Sequence, residues 1–354
     1  MERKKTREVT IGGVRIGADN PVAIQSMTNT KTADVAATVE QIARLTAAGC
    51  DIVRVAVPDM ESARALSDIK KNISIPLVAD IHFDWRLALA AVEAGVDKIR
   101  LNPGNIGGAE RVRAVAEACT ARNIPIRIGV NGGSLEKELL AKYGGVTPEA
   151  MCESAEGHIR LLNDWGFDNI CVSMKSSDVG MTVAANLAFA AKYDYPLHIG
   201  VTETGSPRIG MLKSAAGAGS LLALGVGDTV RISLTDDPVA EIAAARDILR
   251  AADRLETGVN LVSCPTCART RFALIETVKK LEPMLDGVRR RMTVAVMGCE
   301  VNGPGEAKEA DIGVAGAGNG EAVIFREGKI LRRIREEDII PELMAEIRKM
   351  DRED

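Results

Sequence analysis

The chain has 354 residues with 45 Lys+Arg against 49 Asp+Glu, a formal net charge of −4. That near-balance argues against a bulk nucleic-acid binder, which carries a basic excess, and no apolar run reaches the roughly 18–20 residues of a membrane span. Hydrophobic residues at 46% with 27% charged describe a globular protein with a large core, and 3% aromatic residues leave that core to aliphatic side chains and alanine.

At roughly 150 residues per domain the length allows about two domains, or one barrel with an appendage. The start, MERKKTREVTIGGVRIG, is basic but lacks an apolar segment, so no secretory signal is expected. Seven cysteines, an odd number spread over a long chain, argue against a disulfide scaffold and for a reducing, cytoplasmic setting.

Over residues 1–255 one theme recurs: a helical stretch ends in Gly, and a short apolar strand begins near an Asp. The copies are AAGCDIVRVAV (47–57), EAGVDKIRLNP (93–103), DWGFDNICVSM (164–174) and LGVGDTVRISL (224–234). Gly suits a left-handed helix C-cap, and the β-branched run suits a buried parallel strand. Further strands are predicted at 22–28, 75–80, 125–130 and 196–201, and helices near 34–48, 61–71, 84–94, 107–121, 148–164, 178–192, 208–224 and 238–252. Eight alternating units predict a closed (β/α)8 TIM-type barrel; the competing doubly wound open sheet uses fewer. Over 256–354 the pattern changes to a strand at 258–263, a helix near 268–284, a strand at 292–298, a glycine-rich stretch, a hairpin turning at Glu327-Gly328 and a last helix from Pro341 to Met350. This predicts a small α+β domain.

Chemistry in such barrels sits at the C-terminal strand ends. Those ends present Asn29, Arg54, Asp80 with His82, Arg100 with Asn102, Arg127 with Asn131, Ser173 with Lys175, His198 with Glu203, and Arg231 with Ser233. Any one basic residue among them could be a solvated strand-end charge. Four arginines and a lysine together repel unless an anion compensates them, and guanidinium groups suit phosphate oxygens. The inference is a small phosphate or diphosphate ester. Glu203 is either a counter-ion for an arginine or a general acid/base, and both readings stay open on the residues alone. His82 and His198 read more readily as packing residues than as catalysts. The small-residue stretch SAAGAGSLLALGVGD (214–228) could cradle a phosphate near a helix N-terminus, or serve tight turns.

Cys50, Cys119, Cys152 and Cys171 are unclustered and read as small buried hydrophobes. SCPTC supplies Cys264 and Cys267 as C-x2-C, and MGCEVNGPGE supplies Cys299. Three thiolates suggest an iron–sulfur cluster or zinc, with a Cys264–Cys267 disulfide as the third alternative. No fourth Cys and no His follows residue 255, so the nearest donor is a carboxylate, with Glu300, Glu306 and Glu309 available. Three thiolates plus an exchangeable ligand fit a [4Fe–4S] cluster. Glu306 is the choice for the fourth ligand, and Asn302 is placed to line the same site.

These motifs resemble those of the bacterial two-domain hydroxymethylbutenyl diphosphate synthases (the IspG/GcpE family) of the methylerythritol phosphate isoprenoid pathway. The carriers are PVAIQSMTNT (21–30), ADIHF (79–83), KIRLNPGN (98–105), IRIGVNGGSLEK (126–137), HIGVTETG (198–205), SCPTC (263–267) and MGCEVNGPGEA (297–307), spread over nearly the whole chain. The resemblance implies reductive ring opening and dehydration of 2-C-methyl-D-erythritol 2,4-cyclodiphosphate, with electrons from flavodoxin or ferredoxin. It also implies a head-to-tail homodimer in which one chain's cluster domain caps the other's barrel mouth. Carried across, Cys264, Cys267, Cys299 and Glu306 match the cluster ligands; Arg54, Arg100, Arg127, Lys175 and Arg231, with Asn131 and Ser233, match the diphosphate site. Glu203 matches the acid/base and Asn302 the residue approaching cluster-bound substrate. CART and ISLTDDP depart from the commoner CGRT and ISLTADP without removing a ligand.

Two other classes remain on the residues alone. One is a barrel lyase or aldolase with Lys175 as Schiff-base amine and a zinc in the tail. The other is a non-enzymatic iron–sulfur sensor or zinc-ribbon nucleic-acid binder, against which the acidic balance and the scarcity of stacking aromatics speak.

Overall fold

The computed structural model describes residues 1–300, 305 and 307–352. It divides into two compact units, Met1–Arg254 and Leu255–Asp354.

In the first unit the barrel strands are β1 (Ala23–Met27), β2 (Ile52–Ala56), β3 (Leu77–Asp80), β4 (Lys98–Leu101), β5 (Ile126–Asn131), β6 (Ile170–Lys175), β7 (His198–Ile199) and β8 (Thr229–Val230). β1 to β6 pair in sequence order, and β8 lies between β1 and β7. The parallel bridge Val172↔Leu197 and the bond from Val172 N to Pro196 O (2.9 Å) join β6 to the start of β7. The sheet therefore closes, as a TIM-type barrel requires.

The recurring Gly and Asp have separate jobs. Gly49, Gly95, Gly166 and Gly225 all take positive φ (+97°, +83°, +69°, +80°), ending their helices in the conformation that only glycine adopts without strain. In three of the four copies the Asp that follows starts a strand and accepts the unpaired amide of its neighbour strand. Asp51 accepts from Ile24 N (2.7 Å), Asp97 from Leu77 N (2.7 Å) and Asp228 from Leu197 N (2.8 Å). Helix starts are capped by Asp34, Asp59, Asp84, Thr147, Asp178 and Asp237, each accepting from an amide two or three residues on.

An N-terminal hairpin, Val9–Ile11 with Val14–Ile16, was not anticipated from the basic composition of that segment. Its Val9, Ile11 and Ile16 pack on Ala23, Ile52, Val78 and Cys171, an apolar plug at the N-terminal ends of the strands. The stretch 214–228 is corrected by the structure. Its first ten residues continue one helical run, through Pro207–Ser214, a π-turn at Ala215–Gly219 and Ser220–Ala223, so they form no phosphate loop at a helix start. Its glycine serves packing: a Cβ on Gly217 would stand 2.4 Å from Val201.

The second unit is a five-stranded sheet of β9 (Val259–Ser263), β10 (Met292–Met297), β11 (Ile312–Gly318), β12 (Glu321–Arg326) and β13 (Lys329–Arg335). The first three are parallel and the rest antiparallel. Helices Leu274–Leu281 and Ile339–Asp351 pack their apolar faces on it. The helix read as 268–284 thus begins six residues later. β11 lies in the glycine-rich stretch, where no strand is predicted: glycine is required because a Cβ on Gly313 would meet the Phe325 ring at 2.4 Å.

Candidate active-site residues

Alternation along β1–β8 turns one residue in two toward the barrel interior. Above the apolar plug those positions are polar. Arg54, Arg100 and Arg127 stand on β2, β4 and β5, Lys175 ends β6, and Arg231 follows β8. Arg127 is 2% exposed and Lys175 8%. Asp80, ending β3, lies 3.7 Å from Arg54 Nε, 3.4 Å from Arg100 Nη1 and 3.5 Å from His82 Nε2. Buried Glu241 accepts from Ser26 Oγ (3.0 Å), Leu234 N (3.1 Å) and Arg231 Nη2 (3.3 Å).

The electrostatics follow from this crowding. Burial, then the charges of Arg231 and Arg100, lower Arg54 to about 10 against the opposing pull of Asp80. Arg127 and Lys175 are pushed well below their usual ranges, first by burial and then by neighbouring arginines. Burial alone would raise Asp80; Arg54, His82, Arg100 and Arg127 outweigh it and hold the carboxyl low. Five cations meet two carboxylates, an excess of three. Arg127 Nη1 donates to Ser173 Oγ (2.6 Å), yet its Nε and Nη2 are buried without a partner. Orphaned buried donors on a surplus of cation are the complement of an anion.

The backbone is shaped to hold this set. Asn102 Oδ1 accepts from Gly129 N (2.9 Å), Gly129 O accepts from Arg100 Nη2 (3.3 Å), and a Cβ on Gly129 would strike Arg100 Nε at 2.5 Å. Asn131 pairs in register with Lys175 at the strand ends. Thr204 Oγ1 donates to Ser233 O, tying the loop after β7 to the loop after β8. Glu203, beside Thr204, is exposed and holds φ at +54°, a strained value for a non-glycine residue. Among the described residues it joins no ion pair to the basic set, so the counter-ion reading is not realised here. His198 is buried, and among the described residues neither ring nitrogen has a hydrogen-bond partner, unlike a hydrogen-bonded packing residue. Lys98, Gln25 and Glu241 escaped the sequence reading. Lys98 could have been found two residues before Arg100, on the same strand face.

In the second unit the parallel register Ser263↔Val296 places Cys264 and Cys299 just past the same ends of adjacent strands. Cys264 is partly exposed, Cys267 exposed and Cys299 buried. Gly298 N donates to Cys264 Sγ at 3.1 Å. Backbone and side-chain hydrogen bonds from Arg269 hold the Cys267 thiol below its usual range. These are contacts that favour thiolate ligands. Among the described residues no three His, Cys, Asp or Glu side chains close on a common metal point. Asn302 and Glu306 lie outside the described residues. Among the described residues no helix is long and apolar enough to cross a membrane.

The GcpE TIM-barrel domain model matches residues 6–246 and the GcpE protein C-terminal domain model residues 260–349. A 4-hydroxy-3-methylbut-2-en-1-yl diphosphate synthase (flavodoxin) of Caldanaerobacter subterraneus subsp. tengcongensis is 55% identical over 352 residues, 99% of each chain. One from Maridesulfovibrio salexigens is 56% identical over 348 residues, 98% of this chain and 97% of its own. Among solved structures, the N-acetylneuraminic acid synthetase of Leptospira borgpetersenii serovar Hardjo-bovis aligns with a TM-score of 0.50 at 14% identity, over 70% of this chain and 88% of that one, a likeness of fold alone.

Proposed function

Because the chain belongs to the GcpE family, we propose that it carries out that family's step in isoprenoid synthesis. It is an oxidoreductase that opens and dehydrates 2-C-methyl-D-erythritol 2,4-cyclodiphosphate to 4-hydroxy-3-methylbut-2-enyl diphosphate. Two electrons and a proton enter, a C–O bond to phosphate breaks, and a hydroxyl leaves as water. Flavodoxin is the donor, as in the relatives' names. The observation that carries the reading is the buried excess of cation at the barrel mouth, with the orphaned donors of Arg127.

Arg54, Arg100, Arg127, Lys175 and Arg231, assisted by Asn131 and Ser233, bind the diphosphate and neutralise the oxygen released as the ring opens. Glu203 gives its proton to the departing hydroxyl; its strained backbone supports a functional post. Cys264, Cys267 and Cys299, with Glu306, would hold a [4Fe–4S] cluster, and the thiol donor set and the Gly298 N–H bond to Cys264 Sγ fit that group. When bound, the cluster supplies electrons one at a time. Asn302 would line the reacting end of the substrate. The working unit is a head-to-tail homodimer in the cytoplasm.

Anaerobic purification of the full chain with iron and sulfide analysis, followed by turnover with reduced flavodoxin, tests this. About four irons per chain are expected. Iron-free protein with full turnover would overturn it.

A further inference from the structure

Beneath the arginine layer, Lys98 is fully buried and donates to Gln25 Oε1 at 3.2 Å. The bond runs from β4 to β1, with β2 and β3 between them in the sheet, so it crosses the barrel interior. The groups facing Lys98 come from every side. Arg54 on β2, Arg127 on β5, Cys171 on β6 and His198 on β7 are the groups coupled to it electrostatically. On β3, Asp80 is committed to Arg54 and Arg100. The Cys171 thiol is raised to about 11 by burial, and His198 is held well below its usual range, so both are neutral at pH 7. Among the described residues no carboxylate pairs with the ammonium. Burial first, then Arg127 and Arg54, lower Lys98 to about 7 against the pull of Cys171. Gln25 Nε2, Thr229 Oγ1 and both His198 ring nitrogens are buried with no hydrogen-bond partner among the described residues.

With Lys98 charged, six cations face two carboxylates before any ligand arrives, an excess of four that burial leaves uncompensated. We propose that Lys98 is a proton-linked second-layer cation of the diphosphate site, taking up a proton from solvent as the dianion settles on Arg127, so that ligand binding and charging of the buried amine are one event. The inference rests on the assignment of the mouth to a diphosphate. The dianion offsets the repulsion from Arg127 and Arg54, which raises the proton affinity of Lys98 in the complex alone. Lys98 acts through Arg127 and is a positioning residue.

Calorimetric titration of the full chain with 2-C-methyl-D-erythritol 2,4-cyclodiphosphate tests this. The ligand's strongly acidic phosphate groups stay ionised between about pH 6.5 and 9, so any proton change belongs to the protein. Near pH 8 the binding enthalpy should depend on the buffer's ionisation enthalpy, reporting uptake of a large fraction of one proton. Kd should weaken with rising pH above about 7, by up to about tenfold per unit. Lys98→Arg, whose charge is permanent, should bind with neither dependence. Lys175→Met, which removes the other depressed amine, should bind less tightly yet retain the uptake. Binding without uptake, or a pH slope that survives in Lys98→Arg and vanishes in Lys175→Met, overturns the inference and leaves the diphosphate reading standing. No binding at any pH removes both.

Discussion

The barrel carries its reactive groups on strands, where Arg54, Arg100, Arg127 and Lys175 project from hydrogen-bonded positions of a closed sheet and are largely withdrawn from solvent. The second unit carries its thiols past strand ends: Cys264 directly after β9, Cys299 two residues after β10, and Cys267 on an exposed turn. A strand-borne charge is held against its own repulsion by the sheet, and the cost is recovered when an anion arrives. A loop-borne thiol is constrained by little backbone, and the group it ligates sets its geometry. Removing a cation from the barrel should therefore trade affinity for stability, while removing a thiol should abolish cofactor retention without touching the barrel.

The largest effect is expected at Cys299. Cys299→Ser should lose most of its iron and sulfide after anaerobic reconstitution and lose turnover by at least about three orders of magnitude. Its affinity for the cyclic diphosphate should stay within about twofold. Unchanged cluster content would break the ligand assignment.

Arg127→Met comes next and separates the two regions most directly. With Arg54, Arg100, Lys98 and Lys175 relieved of its charge and a methionine filling similar volume, the ligand-free barrel should gain about 1–2 kcal/mol of stability by denaturant titration. Diphosphate affinity should fall about a hundredfold, as for loss of a buried charge-assisted contact. A variant less stable than the parent would show that Arg127 is a structural member rather than a stored repulsion.

Asp80 is the counterweight. Its carboxyl is held below the ordinary range in the folded barrel, so its contribution is present above the unfolded value of about 3.9 and lost as pH falls toward the folded one. Asp80→Asn should cost about 1–3 kcal/mol at pH 7, and the gap should narrow below about pH 4. A gap independent of pH would mean that shape, not charge, explains Asp80.

The barrel was legible because its punctuation is local. Gly49, Gly95, Gly166 and Gly225 can be read one at a time as helix ends, and the strands after them point to Arg54, Arg100, Lys175 and Arg231. The meeting of Lys98 with Gln25 was not legible, since it depends on closure of the whole sheet. β11 was hidden for a related reason: its glycines carry no strand signal until Phe325 is found packed on Gly313. The thiol motifs were legible as donors through spacing alone, whereas the N–H bond from Gly298 to Cys264 needed the parallel register of β9 and β10.

The smallest expected effect asks whether the two units differ in architecture or only in where they place chemistry. Asp97 accepts Leu77 N, and Asp97 N donates to Leu77 O. Asp311 does the same with Thr293, accepting its amide at 2.7 Å and donating to its carbonyl at 3.0 Å. One device thus fastens the start of a parallel strand pair in both units. Asp97→Ala and Asp311→Ala should each strand one amide and cost about 1–2 kcal/mol. Equal losses by denaturant titration, with iron content and diphosphate affinity unchanged, would place the contrast between the units in their strand ends. A loss confined to Asp97→Ala would mean that the closed sheet depends on these carboxylates and the open one does not, since a barrel that slips at one strand start must reopen all round, whereas an open sheet can fray at its edge.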